Sequence, residues 1–118
     1  MRLRIRHHGL SLAVVLLAAG LLAAPALAAS KAKSFTGEVS DSMCGAKHMM
    51  AGSPAECTRA CVAKGANYAL VVGDKVYTLN TSDKAALAEL NKLAGEKAKV
   101  TGSEEGDTIT VKSVSAAK

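Results

Sequence analysis

Cys44, His48, Cys57 and Cys61 are the residues of this chain whose types and spacing could do chemistry, and the first two lie in "SDSMCGAKHMM", residues 40 to 50. The pattern is Cys-x3-His, then eight residues, then Cys-x3-Cys. Three thiols and an imidazole form an accepted tetrahedral zinc set, and the thioethers of Met43, Met49 or Met50 beside soft thiolates would instead suit Cu(I). The x3 spacing falls within the range zinc sites use without being diagnostic of them. A disulfide from Cys44 to Cys57 or Cys61 is the plainer alternative; closing a loop of that length contributes on the order of 3 kcal/mol. Thiol redox chemistry by Cys57 and Cys61 is the third reading, although the pair lacks the Cys-x-x-Cys spacing of redox folds. The odd cysteine count tips the choice towards the metal, because one disulfide would leave a thiol exposed to oxidation.

Simpler roles compete at each position. His48 could be an exposed loop histidine, and Met49 and Met50 could pack under the loop as adaptable filler. Asp41 is expected to cap the turn that leaves the first strand rather than to bind anything.

The elements around these residues are legible locally. "SFTGEVSD" alternates, with Phe35 and Val39 inward and Thr36, Glu38 and Ser40 outward, as a half-buried strand does. "SPAE" predicts a helix start with Ser53 as N-cap, Pro54 at the first helical position and Glu56 completing a capping box. That helix is expected to reach about Lys64 and end at Gly65. Cys57 and Cys61 then sit one turn apart on one face, better placed to share a third partner than to bond each other. "YALVVGDKVYTLN" reads as a hairpin about Gly73-Asp74. A second helix begins after Ser82, buries Leu87, Leu90 and Leu93, and stops at Gly95. "KAKVTG" and "DTITVKSV" form a last hairpin about Glu105-Gly106. This order predicts a mainly β protein with two helices: a small five-stranded OB-like Greek-key barrel with a cysteine-bearing helical insertion after strand one, a simple α+β sandwich being the competing reading.

Composition bounds the function. Arg2, Arg4 and Arg6, the apolar run from Leu10 to Ala24 and the Ala26-Leu27-Ala28 site read as a Sec-type signal peptide cleaved after Ala28. A periplasmic or secreted protein without a stable membrane anchor is expected, and the apolar run is shorter than the roughly 20 residues of a membrane span. Cleavage removes three arginines and no acids, leaving 12 basic against 10 acidic residues, a net charge of +2. With Phe35, Tyr68 and Tyr77 as its aromatics, the mature chain offers no base-stacking platform, so nucleic-acid binding is not expected. Residues 29 to 33 read as a leader, 34 to 114 as one domain and 115 to 118 as a tail. No Gly-x-Ser-x-Gly or Cys-x-x-Cys-His is present, and His48 shows no carboxylate partner in the sequence. The reading is a monomeric binding protein rather than an enzyme.

The segments Gly37-Glu38-Val39-Ser40-Asp41-Ser42-Met43-Cys44-Gly45, Cys57 to Cys61 and Gly65-Ala66-Asn67-Tyr68-Ala69-Leu70 match G-x-V-x-D-x-x-C-G, C-x-x-x-C and G-x-x-Y-x-L. In these the chain resembles an uncharacterised family of small exported bacterial proteins. The resemblance spans residues 34 to 114 and implies export and an OB-like barrel, with no established activity. Function is therefore left between two classes: a Cys/His site for Zn or Cu(I), or a disulfide-stapled module that binds a protein or small ligand on its barrel face.

Overall fold

A computed structural model describes residues 31–48 and 52–117. The expected signal peptide, and the side chains of Met49 and Met50, lie outside the described residues. Among the described residues no helix is long and apolar enough to cross a membrane.

Five strands and two helices follow in order: β1 (Lys33–Asp41), α1 (Pro54–Ala63), β2 (Tyr68–Val72), β3 (Lys75–Asn80), α2 (Lys84–Lys92), β4 (Lys97–Glu105) and β5 (Thr108–Ala116). The strands close in the order β1-β2-β3-β5-β4, all neighbours antiparallel except β3 and β5, which run parallel. The expected architecture, a mainly β barrel with a helical insertion carrying cysteines after β1, is the one observed. Leu70, Val100 and Ile109 from three strands and Leu90 from α2 meet in the core with no exposed surface.

Local chemistry explains most boundaries. Ser53 and Glu56 form a reciprocal capping box, each backbone N–H bonded to the other's side chain at 3.2 Å, so two orphan donors of α1 are satisfied. Gly65, just past the end of α1, has φ of +104°. In the β2–β3 hairpin Gly73 has φ of +58° and Asp74 a negative one, the pattern of a type II′ turn. The N-cap of α2 is Asp83, whose side chain accepts from the Ala85 N–H. Leu90 and Leu93 are buried as expected and Leu87 is partly so.

Three sequence-based expectations are corrected. The last turn is Gly106-Asp107 rather than Glu105-Gly106, because Glu105 pairs with Thr108 across the ladder. The expected tail from Ser115 is partly strand: Ala116 pairs with Ala98, and the Ala117 N–H bonds to the Lys97 carbonyl. Ser40, expected outward, is fully buried, because the loop after β1 folds back over it and its hydroxyl donates to the Gly45 carbonyl at 2.6 Å.

Two ties seat α1 beside the end of β1. Arg59 donates from Nε to the Asn91 carbonyl and from Nη2 to the Lys92 carbonyl, satisfying groups at the C-terminal end of α2. A Cβ on Gly95 would lie 2.7 Å from the Ala55 nitrogen, so only glycine lets the start of α1 approach this closely. The same segment bonds to β1 through Gly95 N–H to the Val39 carbonyl and Val39 N–H to the Glu96 carbonyl.

Candidate metal centre

The site is built where β1 ends. Asp41, its last residue, is fully buried, and its Oδ1 accepts the backbone N–H of Met43 at 3.0 Å and of Cys44 at 2.8 Å. The Gly45 N–H closes the turn on the Asp41 carbonyl, and Gly45 takes φ of +59°. This turn reverses the chain and carries the half-buried Cys44 side chain towards α1. Ser42 fastens the turn to the start of β2, donating its N–H to the Asn67 carbonyl and accepting the Asn67 N–H on its hydroxyl.

Helix α1 supplies the other side. Cys57 and Cys61 are 2% and 4% exposed, and with Thr58 they make up its buried residues. The Cys44 sulfur lies 3.5 Å from that of Cys57 and 3.8 Å from that of Cys61. No disulfide joins any of the three, since a sulfur–sulfur bond is about 2.05 Å. The helical pair therefore shares a third partner, as its spacing suggested, and that partner is Cys44.

The fourth group is Asp41. One donor atom from each of Asp41, Cys44, Cys57 and Cys61 lies within 4.8 Å of all the others, close enough to hold a metal ion. The second carboxylate oxygen, Oδ2, is buried without a hydrogen-bond partner. Desolvating a carboxylate oxygen and leaving it unbonded is costly, so its position calls for a cation. A zinc–thiolate bond of about 2.3 Å puts tetrahedral sulfurs about 3.8 Å apart, close to the 3.5 and 3.8 Å separations of the Cys44 sulfur from those of Cys57 and Cys61.

His48, the expected fourth ligand, does not belong to that group of four. Its Nε2 lies 3.5 Å from Glu38 Oε1, an ion pair when the ring is protonated, and its Nδ1 is buried without a partner. Glu38 is the carboxylate partner that the sequence did not reveal. Asp41 was expected only to cap the turn; it does so with Oδ1, leaves Oδ2 unpartnered, and has a carboxylate oxygen within 4.8 Å of the three cysteine sulfurs. The Asp-x-x-Cys spacing of Asp41 and Cys44 was the available signal, because a carboxylate that accepts the amide of the residue three positions on is held close to that residue. Met43 is 68% exposed.

The electrostatics of the metal-free cluster are those of crowded acids. Burial pushes the Cys61 thiol up to about 12, and the Cys44 hydrogen bond and the charges of Asp41, Cys44 and Cys57 act in the same direction. The positive charge of a cation would oppose these contributions by favouring the thiolate.

No family model, curated protein or solved structure matches the chain. The functional reading therefore rests on this geometry.

Proposed function

We propose that this is a small exported protein that holds one borderline transition-metal ion, Zn(II) in preference to Cu(I), between Asp41, Cys44, Cys57 and Cys61. The observation that carries the reading is a buried Asp41 carboxylate, one oxygen of it unpartnered, grouped within 4.8 Å with three cysteine sulfurs. Sulfur donors argue against Ca(II) and Mg(II), which take oxygen. The carboxylate argues against Cu(I), which prefers thiolate and thioether, and Met43, one thioether that could supply that preference, faces solvent. Export is supported by the character of residues 1 to 28.

Four protein ligands leave no open position for water or substrate, the mark of a structural site. The composition of α1 gives that role a physical basis. The helix, PAECTRACVA, has no leucine, isoleucine or phenylalanine, and its buried residues are two cysteines and a threonine. Ordinary apolar burial therefore holds it weakly, and the ion would bind α1 to the end of β1. At a metal concentration a thousandfold above Kd the gain is about 4 kcal/mol, a melting shift of roughly 15–30 °C for a domain this size.

Metal analysis of reduced protein tests the reading. One Zn(II) per chain is expected, with Co(II) in its place giving the intense thiolate-to-metal absorption of a tetrahedral sulfur-rich site. A reduced, folded protein that takes up neither ion, and whose melt is indifferent to a strong chelator, would refute it.

A further inference from the structure

The three sulfurs are arranged unequally. Cys44 is half-buried on a loop, while Cys57 and Cys61 are almost fully buried on a helix. Cys44 is thus the most exposed of the three residues, and its sulfur is in contact with both of the others, Cys57 the nearer at 3.5 Å. Bonding the two helical sulfurs to each other is opposed by their parallel directions one turn apart. Cys44 also lies outside regular secondary structure, next to Gly45 at positive φ, whereas Cys57 is held within α1.

We infer that the metal site is also a thiol-oxidation site, in which a hydroperoxide oxidises Cys44, Cys57 closes a disulfide onto it, and the bound ion is released. The inference rests on the metal reading above. The Cys44 sulfur attacks the terminal oxygen of the hydroperoxide; the O–O bond breaks, an S–O bond forms, and the remainder leaves as an alcohol, or as water from hydrogen peroxide. The Cys57 sulfur then attacks the sulfenic sulfur, an S–S bond forms, and the hydroxyl leaves as water. Two thiols give up two electrons and the peroxide accepts them. Where both sulfurs begin as metal-bound thiolates, two protons come from solvent. The ion is left with Cys61 and Asp41, too few donors to retain it. Closing from 3.5 Å to a bond of about 2.05 Å asks for a shift of about 1.5 Å.

Protein loaded with Zn(II) and freed of reductant is treated with hydrogen peroxide. Zinc release is followed with a chromophoric indicator, and samples are alkylated at intervals for peptide mapping. Zinc is expected to appear in step with the loss of two thiols, with Cys44 linked to Cys57 and Cys61 still open to alkylation. Met43→Leu controls for the exposed thioether beside the site and is expected to release zinc at the rate of the unsubstituted protein. Retention of zinc by Met43→Leu would place the reaction on the thioether and overturn the inference. A first link between Cys57 and Cys61, or between Cys44 and Cys61, would overturn it as well. Reduced protein that takes up no Zn(II) refutes the metal reading and the release with it; protein that takes up Zn(II) and keeps it under peroxide refutes the release alone.

Discussion

Asp41→Asn separates the two tasks that Asp41 performs. The wild-type carboxylate accepts two backbone N–H groups on Oδ1 and leaves the buried Oδ2 without a hydrogen-bond partner, free to ligate. Asparagine has one oxygen to offer. If the oxygen stays on the Met43 and Cys44 amides, an NH2 group faces the metal and cannot ligate it. If the amide flips, two backbone donors meet a donor and the turn is lost. Either way the site is damaged, but the metal-free fold suffers little in the first case. Partners outside the ligand sphere of a metal are worth 10–100-fold in affinity, so a direct ligand is worth at least the upper value, about 2.7 kcal/mol. Asp41→Ala additionally removes both N–H contacts, comparable to losing a helix cap, about 1–2 kcal/mol and a melting shift of roughly 5–15 °C without metal. The assay is competition for Zn(II) against a chromophoric chelator under reducing conditions, paired with melts of the metal-free proteins. Asp41→Asn is expected to bind at least about a hundredfold more weakly, while its metal-free melt stays within ~1 kcal/mol of wild type. Wild-type zinc affinity in Asp41→Asn would refute the reasoning, leaving Asp41 as a turn cap alone.

The Cys61 thiol, pushed up to about 12 from the ordinary 9.0, keeps a proton in the folded protein that the unfolded chain gives up. Metal-free protein is therefore expected to lose stability as pH rises from about 9 towards 12, whereas zinc-loaded protein, with that proton already displaced, stays level; melts across that range check the sign. Gly37→Ala would put a Cβ 2.2 Å from the Val71 carbonyl oxygen, forcing β1 away from β2. It is expected to cost about 1–3 kcal/mol, and an unchanged melt would contradict the observed register. Gly73→Val meets no atom within 4 Å, so its cost comes from φ of +58° alone, about 1–2 kcal/mol, with zinc affinity unchanged.

Much of the fold was legible because its signals are short-ranged. Ser53, Pro54 and Glu56 act within one turn, Gly73-Asp74 within one hairpin, and the alternating strands within five to nine residues each. The site was legible in part for the same reason. Two cysteines one turn apart on a helix must present their sulfurs together, whatever the rest of the chain does. The misread turn at Gly106-Asp107 and the inward Ser40 depend instead on what lies across the sheet or above the strand.

By itself, then, the sequence determined the two helices and the cap of the first, five strands of adequate pattern, and a shared face for Cys57 and Cys61. Tertiary structure decided which distant residues complete that face. The parallel pairing of β3 with β5, with Thr78 opposite Thr108, closes the barrel through residues 30 positions apart, and no local pattern encodes such a contact. The choice between His48 and Asp41 is of the same kind. Both lie within four residues of Cys44, so spacing cannot separate them. The end of β1 holds Asp41 in the buried interior facing α1, while Glu38, three residues earlier on the same strand, pairs with His48. A ligand is chosen by where its donor atom comes to rest after folding, and that position belongs to the packed barrel rather than to the motif.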